Sequence, residues 1–303
     1  MIVDKLKIPK GIIFVLIGAF LISFSPVFVN LVDLEPTVSG FYRMFIGSIG
    51  LIIFCLIKYK KLPSVKRIPK YLIFAAIFFT LDLWFWHRSI IFVGPGLSTL
   101  LANLQVLILP FLALIFFKQP ANRFQIISVF IGLIGLFLIT SDNWIIAPDT
   151  YKIGIFFGVL TGFSYAGYLI SMKFSSFSNN DLSTPVFNLL IISIISSLFL
   201  IAIIGLEKES LVIDSSRDLM LLFCYGFLSH VVGWYFILTG LETISAVTTG
   251  LILLSQPIFS YFWDVILFEK DILTREYFGI FIILLAMIIC ISSEKYSENR
   301  VSN

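Results

Sequence analysis

Between Leu81 and Ile90 the chain reads LDLWFWHRSI, an acid, two tryptophans, a histidine and an arginine inside an otherwise apolar run. A carboxylate at the centre of a membrane helix costs about 2.5–3.5 kcal/mol on an insertion scale, so Asp82 requires a partner or a wet cavity. At 100° per residue Asp82, Phe85, Trp86 and Ser89 share one helix face, while His87 and Arg88 point elsewhere. Two roles stand open for Asp82. It titrates as a proton or cation carrier site, or it forms a structural ion pair with Arg43, the other charge expected at similar depth. His87 and Arg88 are expected to cap the helix or snorkel toward the outer interface. His230 can relay protons, although a histidine hydrogen-bonded to a neighbouring helix is the commoner arrangement.

A second set lies near the C-terminus. Thr249, Gln256, Ser260 and Trp263 fall on one helical face, and Pro257 interrupts the backbone ladder beside Gln256. In membrane helices such breaks free carbonyls where a cavity reaches them. Thr99, Asn103 and Pro110 make a similar stripe. The residues expected to bind a substrate are Trp86, Asn103, Gln256, Ser260 and Trp263, with amides reading polar groups and indoles supplying apolar or cation–π contact. Ordinary helix packing also uses Ser and Thr, which is the competing reading of both stripes. No phosphate loop, GxSxG, HExxH or dinucleotide fingerprint occurs, so an enzyme, a cofactor and a metal site are not expected. Cys55, Cys224 and Cys290 show neither metal-ligand spacing nor a disulfide framework.

These residues sit in an unusual background. Of 303 residues, 59% are hydrophobic and 13% charged, and the mean hydropathy is +1.03. Soluble domains carry about 25% charged residues, and no globular core absorbs this much apolar surface. Apolar runs of bilayer length recur at 10–30, 37–57, 71–92, 96–117, 124–141, 152–172, 184–205, 218–239, 244–268 and 276–292. The expected fold is an all-α integral membrane protein with ten transmembrane helices. A β-barrel is excluded because its strands would alternate. The first run leads into Asn30 and an acidic loop, which reads as a first helix and not a cleaved leader. VGPG (93–96) reads as a tight outer turn, and SSEKYSENRVSN as a loose tail.

Lysine and arginine gather near both termini, at Lys118, Arg123 and Lys173, and in KYKKLPSVKRIPK (58–70). The opposite loops hold only Lys152, Lys208, Arg217, Lys270 and Arg275. The positive-inside rule then places both termini in the cytoplasm of a multi-pass inner-membrane protein, with 58–70 a topology anchor and not a nucleic-acid patch.

The chain also repeats itself. A shift of 151 pairs Ser98 with Thr249, Gln105 with Gln256 and Phe117 with Phe268, and a shift of 141 pairs SFSP (23–26) with SYAG (164–167). Residues 1–145 and 146–303 therefore read as two five-helix repeats. Five is odd, so the halves cross the membrane in opposite senses. That inverted topology puts a substrate site near mid-membrane between them. PTVSGFYR (36–43), GLETISAVTTGLILLSQPIFS (240–260) and LFEKDILTREYFG (267–279) resemble the EamA branch of the drug/metabolite transporter superfamily. In that pattern Arg43 matches the Arg of helix two, Pro257 the Pro of the repeat's fourth helix and Glu269 the Glu after it. Val106 and Lys118 depart from it in the first half. The resemblance implies a secondary active transporter of a small organic metabolite, an amino acid or drug-like compound, exported or moved by proton-coupled exchange through alternating access. The alternative is a flippase for a lipid-linked intermediate. The expected partners are the small-molecule substrate, the lipid bilayer and protons.

Overall fold

In lipid a chain must satisfy its own backbone hydrogen bonds, and the described residues of this protein are helical, with no strand among them. The structure is a computed structural model that describes residues 9–62, 68–140, 150–177, 184–268 and 273–301. The first half contains α1 (Lys10–Ile22), α2 (Ser25–Leu31), α3 (Pro36–Tyr59), α4 (Lys70–Ala102), α5 (Gln105–Phe117) and α6 (Arg123–Thr140). The second contains α7 (Thr150–Lys173), a 3-10 turn (Phe174–Phe177), α8 (Pro185–Glu207), α9 (Ser216–Cys224), a π-helical stretch (Tyr225–Gly233), α10 (Trp234–Leu241), α11 (Ala246–Ile252), α12 (Ser255–Phe268) and α13 (Thr274–Val301). Seven segments are long and apolar enough to span a bilayer, and the apolar helices Gln105–Phe117, Arg123–Leu138 and Tyr277–Ser293 are shorter.

Proline sets several of these boundaries. Pro36 and Pro185 open α3 and α8, where the missing N–H would have had no intrahelical partner. Pro26 cannot donate to Ile22 O, and the first span breaks at Ser23–Phe24 into α1 and α2. Pro257 cannot donate to Leu253 O, which accepts from Gln256 N at 2.9 Å instead, and α11 separates from α12. The same break recurs between α4 and α5 without a proline. There the Asn103 side chain donates to Thr99 O at 2.8 Å, beside the Asn103 N bond to the same carbonyl at 3.1 Å. The tightened bonds match closely, Leu104 N to Leu101 O and Val106 N to Asn103 O against Leu254 N to Leu251 O and Gln256 N to Leu253 O. Structural equivalence here is therefore a shift of 150, one residue from the register read in the sequence. Lys60, Lys118 and Lys208 end α3, α5 and α8 in left-handed conformation (φ 53°, 56° and 59°), each placing a cation at the negative end of its helix.

Two sequence expectations are revised. Helical hydrogen bonding runs through 93–96, yet a Cβ on Gly158 would touch both Leu101 and Ser89 Oγ. Twelve residues of straight helix would separate those by about 18 Å, so the chain folds back within this stretch while keeping helical bonding. The tail is helical as far as Val301, in keeping with its Glu, Lys and Arg content.

Pairing between the halves is reciprocal. The first span packs on α10, with a Cβ at Gly18 only 2.7 Å from Gly233 O and one at Gly240 only 2.6 Å from Gly11 O. The first helix of the second half, α7, packs on α4 through Gly154 and Gly158 against Phe92 and Leu101. Helix α3 runs antiparallel to α8, since Thr37 meets Glu207 while Tyr59 meets Phe187. Helix α6 runs antiparallel to α13, where a Cβ on Gly135 would lie 2.7 Å from Gly279 O and Asn122 bonds Ser293. Without a hydrophobic drive between helices in lipid, such close backbone approach is what holds them.

Candidate substrate site

The three helix breaks converge. Ser25 begins α2, Asn103 lies between α4 and α5, and Gln256 lies in the first turn of α12. All three face one central cavity of about 50 Å³, with Arg43 of α3, Asp82 and Trp86 of α4, Tyr165 of α7 and Trp234 of α10. One water needs about 10–15 Å³ of such space, so the chamber as it stands holds a few waters and not a metabolite. Loading one requires the walls to part.

Asp82 and Arg43 both line this chamber, yet they are not an ion pair. The ion pair among the described residues joins Arg88 to Glu207. Arg43 is buried, donates from Nη1 to Tyr225 Oη at 3.1 Å, and lies 4.8 Å from the Tyr225 ring centroid and 5.8 Å from that of Phe79. Its Nε has no partner. Aromatic faces thus substitute for a counter-ion. Asn103 Oδ1 and Ser25 Oγ are likewise enclosed and unsatisfied. A buried donor or acceptor without a partner costs about 1–3 kcal/mol, and here cation, amide and hydroxyl groups all face the same space as an anion. Such a lining can take a polar solute carrying charge of either sign.

The remaining sequence candidates lie elsewhere. Ser260 Oγ donates to Ser23 O at 3.1 Å, and Trp263 Nε1 donates to Ser23 Oγ at 2.8 Å while its ring stacks on Phe24 at 4.2 Å. These two residues tie α12 to the α1–α2 break, one to two turns from Gln256, and do not line the cavity. His230 is fully buried in the π-helical stretch, 2.7 Å from Ser193 Oγ, with its ring stacked on Phe79 at 5.7 Å. Phe79 therefore stands between it and the chamber. His87 does not reach the outer interface. It is buried, with Nδ1 2.7 Å from Leu83 O. Arg88 does not snorkel either, because Glu207 of α8 holds it.

Ser25, Thr161 and Tyr165 line the cavity although the sequence did not single them out for it. A signal existed, since SFSP and SYAG, noticed only as a repeat match, are the stretches that contain Ser25 and Tyr165.

The sequence model of the EamA-like transporter family matches residues 9–141 and 152–292, two copies that together take in most of the chain. A solved structure described as "Crystal structure of protein" superposes with TM-score 0.82 at 11% identity, covering 95% of this chain and 100% of its own. At that identity the likeness is one of fold. No curated protein matches the sequence.

Proposed function

The chain belongs to the EamA-like transporter family, and from that premise we propose that it is a secondary active transporter moving a small organic metabolite across the inner membrane by alternating access. The observation that carries this reading is the central chamber in which Arg43 and Asp82 face the same space without pairing. A structural protein gains nothing from leaving the Arg43 Nε and the Asp82 carboxyl unpaired with each other there. A carrier does, because cargo can supply the missing partners. Residues 1–145 and 146–303 form two five-helix repeats of opposite orientation, a reading supported by the antiparallel α3–α8 and α6–α13 pairs. Substrate sites in such repeats lie at their interface, beside broken helices. Amino acids and related charged metabolites suit the lining, and protons suit Asp82. A flippase would need the chamber to open sideways into lipid. The apolar groove between α3 and α9 does face lipid, but it is lined by Ile46, Ile53, Leu219 and Phe223 and shares no residue with the chamber.

Trp86, Asn103 and Gln256 are the proposed cargo contacts. In proteoliposomes, Gln256→Ala and Trp86→Ala are expected to lower flux about tenfold each, the loss of one hydrogen bond or ring contact, with membrane insertion unchanged. Phe137→Ala on the exposed surface of α6 is expected to leave flux intact. Equal flux in all three variants would remove the chamber from the transport path. Ser260→Ala and Trp263→Ala are expected to act through the α1–α2 break, lowering stability more than apparent affinity.

Both termini are placed in the cytoplasm. A cysteine at Lys61 is then expected to react only with permeant reagents in whole cells, and one at Lys208 with impermeant ones. The reverse pattern would invert the whole arrangement.

A further inference from the structure

We propose that the Glu207 carboxylate, held by Arg88, Trp84 and Thr37, is the outer latch of the carrier, and that Glu209 beside it makes release of the latch respond to external pH. The proposal rests on the alternating-access reading above. Glu207 is the last residue of α8. Its Oε2 accepts from Thr37 Oγ1 at 2.7 Å, and its Oε1 accepts from Trp84 Nε1 at 3.0 Å and from Arg88 Nη2. The Arg88 guanidinium lies 3.9 Å from the Trp84 ring centroid, and its Nη1 donates to Thr37 Oγ1 at 3.3 Å. One carboxylate of the second half thus ties down two helices of the first. A second strap crosses nearby, where Tyr42 Oη donates to Leu211 O at 2.6 Å.

The position matters as much as the bonds. Arg88 lies further along α4 than Asp82 and Trp86, at the end where α3 begins and α8 finishes, so the cluster closes one mouth of the chamber. At the opposite mouth the corresponding place is the end of α3. There Lys58, exposed, lies 5.3 Å from the Phe54 and Tyr59 rings and 5.9 Å from that of Tyr235, while Tyr59 meets Phe187 at 5.0 Å. The first mouth is held across the halves by a charge-assisted cluster with side chains only 18% and 23% exposed, whereas on the opposite side the buried Lys173 bonds the Leu241 and Ile244 carbonyls within the second half and Lys58 lies on aromatic faces. Partly buried pairs are screened little by salt and lose strongly when one member is removed. To open the first mouth, α8 must leave α4 and every bond to Glu207 must break.

Glu209 adds a titratable element. Its Oε2 is enclosed without a donor, and its carboxyl lies within hydrogen-bonding reach of Glu207. The charged groups facing it are Glu207 on α8, Glu35 ahead of α3 and Arg88 on α4, with Thr37 and Trp84 as neutral neighbours around Glu207. Burial first, then the charge of Glu207, push its carboxyl up to about 7. In an opened, hydrated mouth it would return toward ordinary values. The closed latch therefore binds the Glu209 proton more tightly than the open one, so protonation favours closure. As external pH rises through about 7 that contribution disappears, and ionised Glu209 repels Glu207 and competes for Arg88.

Accessibility of the chamber tests this. Ser25→Cys, with Cys55, Cys224 and Cys290 replaced by alanine, is reconstituted outside-out and treated with an impermeant methanethiosulfonate. Rates are taken relative to an exposed Val212→Cys reference, which corrects for thiol ionisation. The relative rate is expected to rise from pH 6 to pH 8, and Glu207→Gln to raise it about tenfold or more at both, as a shifted two-state population requires. Glu209→Gln is expected to keep the slow rate and abolish the pH response. The charge swap Arg88→Glu with Glu207→Arg is expected to restore slow labelling, which separates a latch from misfolding of the single variant. Rates within about twofold of the parent in Glu207→Gln and Arg88→Gln overturn the latch, and an unchanged pH response in Glu209→Gln overturns its sensor. Labelling needs no substrate, so a responsive latch without measurable flux would instead overturn the transport reading.

Discussion

Asp82→Asn is expected to fold and insert at parental yield, to lower flux about a hundredfold, and to remove the pH dependence of what remains. The first expectation follows from the absence of an Arg43 pair. Had Asp82 and Arg43 been paired in the dry interior, neutralising one would have stranded the other at a cost of about 3–5 kcal/mol. Arg43 is instead held by Tyr225 and Phe79, and those contacts survive the change. The second expectation follows from the chamber. Removing one charge from a desolvated recognition pair costs about 2–5 kcal/mol, which spans a hundredfold and more. Asparagine keeps the shape of the side chain and loses only the titration. Folded yield is read by size-exclusion profile and flux by proteoliposome exchange at several pH values. A collapse of yield that Arg43→Gln restores would show a structural pair after all. Normal yield with unchanged pH dependence would remove Asp82 from coupling.

Gly18→Val is expected to abolish most folded protein. A Cβ at Gly18 would sit 2.7 Å from Gly233 O and 2.9 Å from Ile237 N, both backbone atoms of the facing helix, so no side-chain rotation relieves the clash. Overpacking in a dense interior costs about 1–3 kcal/mol even where neighbours can shift. Here the first span would have to leave α10, and with it much of the contact between the halves. Gly205→Val supplies the control, because nothing lies within 4 Å of a Cβ at Gly205. Thermal aggregation of detergent-purified protein should separate the two variants clearly. Equal melting points would mean that the α1–α10 crossing is not a load-carrying part of the fold.

The helices were legible in the sequence, because apolar runs of bilayer length leave the backbone no other way to bond itself. The break at Pro257 was legible too, since proline announces a missing donor wherever it stands. The break at Asn103 was not. No proline stands there, and the chain tightens at Leu104 onto Leu101 O just as it does at Leu254 onto Leu251 O. The π-helical turn around His230 carried no sequence mark.

Side-chain partners divide in the same way. Helical periodicity put Asp82 and Trp86 on one face, and the chamber lies along that face. Periodicity also put Gln256, Ser260 and Trp263 together on α12, but one to two turns beyond Gln256 that face meets the α1–α2 break, and Ser260 and Trp263 bond Ser23. Arg88 read as an interfacial cation because its partner, Glu207, lies more than a hundred residues away. The sequence by itself determined which segments are helical, which residues carry charge inside them, and that the chain is built twice. Only the tertiary structure decided which charges meet. Pairing depends on distances between helices whose separation is set by glycine contacts, and a one-dimensional pattern records the period of each helix but not the direction its neighbour lies in.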